Sequence, residues 1–293
     1  MSIRLELYRV FDKVAKCQSF SKAARELYMT QPAVSQAIMQ LEDELKIRLF
    51  TRTPRGVILT NEGKMLFEYT NSAISLLDAG EKKIKESRDL KEGELKIGVS
   101  DTISRYYLLP YLEKFHKSYP NIKLKIINRT TVELCNLIKS GEIDIGICNL
   151  PIKDNSLDIE KCKDIHDIFV LGERYKSLIS KAITYEEIIK YPLIFLDNRS
   201  RSRQYVEDYL FSKGIKISPE IELGSHDLLL EFAKIGLGLA CVVKEFSEDY
   251  LLNGSLYEVN LVEDIPKRSI GICSLKGVSL SPSSEKFMEY LMN

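Results

Sequence analysis

The chain has 293 residues, enough for two or three domains that each bury a core of their own. Its 44% hydrophobic and 29% charged residues are typical of a globular protein and argue against a disordered or membrane-embedded chain. Because the longest apolar run, near 237–243, is far too short for a membrane span and the first residues lack a signal-peptide core, we expect a cytoplasmic protein.

The charge of the chain is unevenly distributed, although 42 basic residues balance 42 acidic ones overall. Residues 1–60 hold ten Lys and Arg against six Asp and Glu, a net charge of +4, so the remainder carries −4. A basic segment on an acidic body fits a nucleic-acid-binding module joined to a second functional part. A difference of this size also arises by chance, so it counts only together with a motif.

The first 45 residues carry the pattern of three short helices. Apolar residues at helical spacing over residues 7–15 predict the first. Ser21 is expected to cap the second and Thr30 the third, where Pro32 is tolerated because the first turn needs no N–H donor. The predicted buried stripe of the third helix is Val34, Ile38, Leu41 and Leu45.

The opposite face of the third helix is polar, with Gln31, Ser35, Gln36 and Gln40. Gln can pair with adenine and Ser tolerates several bases, which predicts a recognition helix in a DNA major groove. A β-hairpin with a turn at residues 53–56 should follow, and Arg52 and Arg55 are placed to contact phosphate or the minor groove. A three-helix interaction module with a polar face is the alternative.

Five short motifs appear in one order: Phe-Ser-x-Ala-Ala from Phe20, Thr-Gln-Pro-Ala-Val-Ser from Thr30, Leu-Glu-x-Glu-Leu from Leu41, Leu-Phe-x-Arg from Leu49 and Leu-Thr-x-x-Gly from Leu59. In this order the chain resembles the LysR-type transcriptional regulators, densely over residues 1–65 and more loosely beyond. The resemblance implies a homo-oligomeric, usually tetrameric, bacterial regulator controlled by a small molecule. It implies DNA-contacting roles for Thr30, Gln31, Pro32, Ser35, Gln36, Arg52 and Arg55.

A long helix is predicted to follow the winged helix-turn-helix of residues 1–60, as a linker and dimerisation element over residues 61–92, with Thr60 as its cap. Its apolar seam has three- and four-residue spacing and comprises Leu66, Tyr69, Ala73, Leu76, Gly80 and Ile84. A sixty-residue head cannot bury such a seam alone, so we expect pairing with a second copy of the chain. Burial against the chain's own body is the alternative.

The effector-binding domain is assigned to residues 93–293, where predicted strands and helices alternate and indicate mainly parallel sheets. Lobe one takes residues 93–161 plus 267–293, and lobe two takes residues 162–266. Two α/β lobes joined by two crossovers resemble the periplasmic-binding-protein fold of the family's effector domain. The fold class is therefore multidomain, with an N-terminal winged helix-turn-helix, a linker helix and two α/β lobes.

A ligand of such lobes is expected beyond the carboxyl ends of strands and near helix N-termini. The residues that this rule and the resemblance select for the effector are Ser100, Thr102, Thr131, Asn149, Arg199, Ser200, Arg203 and Ser225. Three arginines fall within residues 199–203, and guanidinium groups bind planar anions well. We expect a small carboxylate or phosphate; arginines that face solvent or pair with the body's acids are the alternative.

Catalytic and metal-binding motifs are absent from the sequence. The three histidines, His116, His166 and His226, have no visible nucleophile partner, and no phosphate or dinucleotide loop occurs, so we expect no enzyme, no cofactor and no metal site. The six cysteines are scattered without a Cys-x-x-Cys pair and are expected in cores.

The expected partners are double-stranded DNA with an inverted repeat, a small-molecule effector and further copies in a homodimer or homotetramer, with no membrane. Three other functions stay open. The regulator could respond to oxidation through Cys135, Cys148 or Cys162, or its body could serve only to oligomerise. More distantly, the chain could be a solute-binding module whose helical head has no role on DNA.

Overall fold

The structure, a computed structural model, describes residues 3–54, 56–85 and 93–292. The chain divides into two compact units, the first made of residues 1–85 with 140–142 and the second of the remaining residues. The first unit contains four helices and a hairpin, namely α1 (Leu5–Cys17), α2 (Phe20–Glu26), α3 (Gln31–Leu45), β1 (Phe50–Thr53), β2 (Gly56–Leu59) and α4 (Asn61–Lys85). Among the described residues, no helix combines the length and apolar character that a membrane crossing requires.

The helix caps of the first unit agree with the sequence at one position and differ at another. Thr30 caps α3 as predicted, because its hydroxyl accepts a hydrogen bond from the Ala33 N–H at 3.3 Å. The cap of α2 is Ser19, which accepts from the Lys22 N–H at 3.3 Å, so the prediction of Ser21 was wrong. The helix begins at Phe20, which packs against the core and draws Ser21 into the first turn.

A buried carboxylate joins α3 to the hairpin. Glu42 accepts hydrogen bonds from the N–H groups of Leu49 at 2.7 Å and Phe50 at 3.2 Å, and it pairs with Arg48 at 2.7 Å. Its side chain is 7% exposed, so these bonds replace the water that the carboxylate lost. The start of the hairpin is therefore fixed relative to the C-terminal half of α3.

Helix α4 begins as predicted, with the Thr60 hydroxyl accepting from the Gly63 N–H at 2.9 Å. Leu66 in its first turns packs against the core of the first unit. Further along the predicted seam, Tyr69 and Ile84 are 73% and 87% exposed. The single chain therefore leaves much of the seam uncovered. The last part of the predicted helix and most of the predicted hinge lie outside the described residues.

The second unit contains alternating strands and helices, namely β3 (Gly93–Val99), α5 (Asp101–Ile103), a π-helical turn (Ser104–Leu108), α6 (Leu109–Ser118), β4 (Ile122–Asn128), α7 (Thr131–Lys139), β5 (Ile145–Asn149), β6 (Leu157–Ile165), β7 (Asp167–Leu171), a 3₁₀ segment (Glu173–Ser180), α8 (Tyr185–Ile188), β8 (Leu193–Leu196), α9 (Arg201–Ser212), β9 (Ile221–Leu223), α10 (His226–Lys234), β10 (Leu239–Val243), a 3₁₀ turn (Lys244–Phe246), α11 (Glu248–Leu252), β11 (Tyr257–Glu258), β12 (Arg268–Leu275) and α12 (Pro282–Met292).

Two five-stranded sheets form the centres of two lobes, which confirms the predicted α/β architecture. The strand orders are β4-β3-β5-β12-β6 in lobe one and β11-β7-β10-β8-β9 in lobe two. In lobe one β3 is parallel to β4 and β5, but β12 is antiparallel to both β5 and β6. In lobe two β8 is parallel to β9 and β10, whereas β7 is antiparallel to β10 and β11. In each sheet four of the five strands therefore point the same way and one, β12 or β7, runs against them, which agrees with the expectation of mainly parallel sheets.

Strand β6 was not predicted from the sequence. It is an edge strand in which charged residues alternate with partly buried ones, so it lacks the apolar run of a central strand. It continues to Ile165 in the sheet of lobe one and thus crosses the lobe boundary proposed at residues 161 and 162.

The two lobes share part of one core. Val243 and Phe246 lie in lobe two by sequence, yet they pack into the buried cluster of lobe one with Leu95 and Phe115. The ring of Tyr106 stacks on Phe246 with centroids 5.4 Å apart. This shared packing joins the lobes beside the carboxyl ends of their strands.

Candidate functional site

Helix α3 presents an exposed polar surface at its N-terminal end. Gln31, Pro32 and Gln36 are exposed, as is the cap Thr30, while Ser35 is half-buried. Buried Val34 and Ile38 occupy the other side of the helix. The sequence-predicted face is therefore brought together on the start of one helix, in reach of a groove about 12 Å wide.

The hairpin residues can be placed only in part. Arg52 lies on β1, where its backbone pairs with Val57. Arg55 lies outside the described residues, so its predicted DNA contact stays a prediction.

A cleft of about 390 Å³ lies between the two lobes. It is lined by six of the eight residues predicted for the effector: Ser100, Thr102, Thr131, Asn149, Arg199 and Ser200. Ser225 is not among the lining residues, although its neighbours Gly224 and His226 are. The strand-end rule thus located the cleft from sequence, and the assignment of effector contacts stays a prediction.

Arg203 lies away from the cleft, inside lobe two. Its side chain is 7% exposed and pairs with Glu207 at 2.8 Å and Glu222 at 3.0 Å. A third bond runs from its guanidinium to the Leu196 carbonyl at 2.9 Å. The structure therefore uses Arg203 to hold α9 against β8 and β9.

The N-terminus of α9 borders the cleft, and its first turn contains no acidic residue. Its cap residue Ser200 makes no capping hydrogen bond. Arg201 lies in this turn and hydrogen-bonds the Pro151 carbonyl of lobe one at 3.3 Å and Gln204 at 3.0 Å. The exposed Arg199 pairs with Asp197 at 3.3 Å. Because a helix N-terminus is itself electropositive, this end of α9 favours an anion.

An arginine that the sequence analysis missed forms the floor of the cleft. Arg268 pairs with Asp167 through Nε at 2.5 Å and Nη2 at 2.9 Å, and both side chains are 2% exposed. Its Nη1 donates to Asn149 at 2.6 Å, and its Nη2 donates to Ser202. The network ties strands of both lobes to the start of α9. The sequence did contain a signal for this pair, because each of the two strands begins with a charged residue: β7 with Asp167 and β12 with Arg268.

His226 also lines the cleft and is 3% exposed. The Val243 N–H donates to its Nε2 at 3.2 Å, so the ring proton resides on Nδ1, which has no hydrogen-bond partner in the described part of the chain. Burial lowers the pKa of His226 to about 4, so the ring is neutral at pH 7. The sequence offered no signal for its burial beyond its position at a helix start.

Lobe one contributes two helix starts to the same cleft. The Ser100 hydroxyl accepts from the Ile103 N–H at 3.4 Å. Glu133 closes the start of α7 by accepting from the Thr130 N–H at 2.9 Å and hydroxyl at 2.7 Å, which lowers the pKa of Glu133. Within the π-helical turn, the Tyr106 hydroxyl donates to Asp227 of α10 in lobe two. The lobes are therefore joined by polar contacts as well as by shared packing.

Two family models together match nearly the whole chain. The model described as "LysR substrate binding domain" matches residues 88–293. The model described as "Bacterial regulatory helix-turn-helix protein, lysR family" matches residues 5–64. The chain belongs to the LysR family. It is a DNA-binding transcription regulator with an effector-binding domain, which confirms the resemblance found in the sequence.

Related proteins match along the whole length. The uncharacterized HTH-type transcriptional regulator YbhD of Escherichia coli is 28% identical over 100% of this chain and 92% of its own. The RuBisCO operon transcriptional regulator of Allochromatium vinosum is 25% identical over 100% of this chain and 97% of its own. The HTH-type transcriptional activator CmpR of Synechocystis is 25% identical over 98% and 94%. The LysR family is one of transcription regulators rather than enzymes, and its partners are DNA and a small-molecule effector.

Solved structures share the fold. Full-length OxyR of Pseudomonas aeruginosa has a TM-score of 0.72 at 20% identity, covering 100% of this chain and 94% of that one. Full-length CbnR in complex with its target DNA has a TM-score of 0.66 at 17% identity, covering 99% of each chain. Both have the helix-turn-helix unit followed by two α/β lobes, as the sequence predicted.

Proposed function

We propose that the effector of this regulator is a small anion whose negative group binds at the start of α9. The observation that carries the proposal is the first turn of α9, which faces the cleft with Arg201, without an acid and without a side-chain cap. The N–H groups of a first turn have no partner within the helix. A carboxylate or phosphate would accept from them and offset the nearby guanidinium charge.

Arg199 and Ser200 complete this anion site in the proposal. Arg199 is exposed and its pairing with Asp197 leaves N–H donors for a ligand. Ser200, as an unused cap, keeps a free hydroxyl. Thr102, Thr131 and Asn149 would contact the rest of the effector, whereas Arg203 supports α9 from behind.

On DNA, we propose that the N-terminal end of α3 enters the major groove. The base and backbone contacts would come from Thr30, Gln31, Pro32, Ser35 and Gln36, with Arg52 and Arg55 at phosphates. The exposed seam of α4 supports a dimer, or a tetramer built from dimers, on an inverted-repeat promoter site. A protein with this role acts in the cytoplasm and needs no catalytic group.

The proposed division of the chain remains 1–60 for DNA binding, 61–92 for the linker and 93–293 for the effector domain. Effector binding would favour one angle between the lobes, and the assembly would then change the spacing of its paired heads. Such coupling requires that the effector bind one lobe arrangement more tightly than the other.

The first experiment is fluorescence anisotropy of the full chain on DNA from upstream of its own gene, against scrambled DNA, at near-physiological salt. We expect preferential binding that is lost in the double variant Gln31→Ala/Ser35→Ala. Small carboxylates and phosphates are then screened for a change in DNA affinity. The double variant Arg199→Ala/Arg201→Ala should lose that response with DNA binding intact, while the exposed control Lys216→Ala keeps both. An unchanged response in the arginine variant would exclude the α9 anion site.

A redox-responsive regulator is a second candidate because three thiols meet in one buried cluster. Cys135, Cys148 and Cys273 pack together between α7 and the sheet of lobe one. A hydrogen bond from Cys148 lowers the pKa of Cys135 to about 7, which favours its reactive thiolate. Hydrogen peroxide would take two electrons and two protons from Cys135 and Cys148, forming one S–S bond and two water molecules.

A further inference from the structure

We propose that lobe one carries a second small-molecule site, which takes a flat aromatic ring bearing a negative group. The site is a cavity of about 680 Å³ bounded by the π-helical turn, α6, β6 and α12. This volume lies within the range of about 300–1,000 Å³ that small-molecule pockets occupy. None of these elements contributes a residue to the lining of the interlobe cleft.

Aromatic rings dominate the wall of this cavity, which is lined by Pro110 and four tyrosines: Tyr106, Tyr107, Tyr111 and Tyr290. The rings of Tyr107 and Tyr111 are 5.2 Å apart at a tilt of 50°. The Tyr107 hydroxyl donates to the Leu291 carbonyl at 3.5 Å, and the Tyr290 hydroxyl donates to Ser118 at 3.0 Å. Tyr107 is buried, so the half-buried rings of Tyr106, Tyr111 and Tyr290 are the ones that can make edge and stacking contacts with a flat aromatic ligand.

The charge around the cavity is positive. Three lysines, Lys114, Lys163 and Lys286, line it with one acid, Glu289. Lys286 pairs with Glu289. Lys114 and Lys163 are exposed, and the described part of the chain gives neither a carboxylate within 4.0 Å. Two uncompensated ammonium groups from different elements thus face one cavity.

Two free positive charges beside aromatic rings select the ligand class. An ammonium group is a point charge that binds phosphate without demanding a planar, bidentate partner. A phosphate monoester carries about −1.5 to −2 charges at pH 7, which matches the two free lysines. An aromatic phosphate or a related aromatic anion therefore satisfies both the rings and the charges.

The test uses isothermal titration calorimetry on the full chain with phenyl phosphate, inorganic phosphate and phenol as probes. We expect phenyl phosphate to bind more tightly than either of the other two. Lys114→Ala and Lys163→Ala should each weaken it about fivefold, the upper range for an exposed ion pair. The matched controls Lys117→Ala on α6 and Lys161→Ala on β6 should leave its affinity unchanged. All four lysines are exposed, so folding is not expected to change.

Three outcomes would overturn the proposal. The first is no binding of phenyl phosphate at millimolar concentration. The second is equal affinity for phenyl phosphate and inorganic phosphate, which would remove the aromatic part of the site. The third is binding that disappears in Arg199→Ala/Arg201→Ala but survives in both cavity variants, since the anion would then occupy the interlobe cleft.

Discussion

Replacing Arg203 tests whether this arginine stabilises the fold or binds the effector. In Arg203→Met the apolar stem is kept, but the ion pairs to Glu207 and Glu222 and the bond to the Leu196 carbonyl are lost. Removing one member of a fully buried pair costs about 3–5 kcal/mol. Here Glu207 and Glu222 are 31% and 45% exposed and can regain water, so we take about 2 kcal/mol for the pairs. The carbonyl left without its donor adds about 1 kcal/mol.

A total of about 3 kcal/mol lowers the melting temperature by about 6–12 °C for a domain of this size. The measurement is thermal unfolding of the full chain by circular dichroism. Arg201→Met is the matched control, since Arg201 lies two residues away and, among the described residues, makes one hydrogen bond to Gln204 and one to the Pro151 carbonyl. We expect the control to shift the melting temperature by less than about 3 °C and to lose the effector response.

The two variants should therefore behave in opposite ways. Arg203→Met should be less stable and still respond to effector below its melting temperature. If Arg203→Met has the melting temperature of the native chain and loses the effector response, then Arg203 contacts the ligand. The sequence-based assignment of Arg203 to the effector site would then be correct, and the reasoning from its buried ion pairs would be refuted.

Further predictions concern the head, the cleft and the thiols. Gly63→Ala should destabilise the head by more than about 2 kcal/mol and abolish DNA binding, because a Cβ would lie 2.2 Å from the Leu49 carbonyl oxygen. His226 has a folded-state pKa of about 4 against 6.5 unfolded, so protonation of the unfolded chain should remove about 3 kcal/mol of stability as pH falls from 7 to 4. His226→Gln should show a flatter pH profile in urea unfolding, and an unchanged slope would exclude this residue as the cause. If an anionic effector is the signal, the double variant Cys135→Ser/Cys148→Ser should show the same effector-induced change in DNA affinity as the native chain. A peroxide-induced change in DNA affinity that this variant loses would favour redox control instead.

The head could be predicted closely because its signals are local. Apolar spacing marked the buried side of α3, and the hydroxyl of Thr30 marked its start. Ser19 and Ser21 are both chemically able to cap α2. Only the packing of Phe20 decides between them, and that packing depends on residues distant in sequence.

The cleft could be predicted in part. Strand ends are visible as the last residues of apolar runs, so Ser100 and Asn149 were found without contacts being known. Arg268 was missed because its partner Asp167 is 101 residues away. For Arg203 a local signal did exist: Glu207 four residues later on the same helix predicts pairing rather than ligand binding.

The position of β12 in its sheet has a consequence for synthesis of the protein. This strand lies between β5 and β6, yet it is synthesised only after every strand of lobe two. Until β12 emerges, the edges of β5 and β6 that it pairs with in the finished sheet have no partner, while every strand of lobe two has already been synthesised. Lobe two can therefore form first, and a nascent or truncated chain that lacks residues 268–293 exposes edges that favour pairing with other chains.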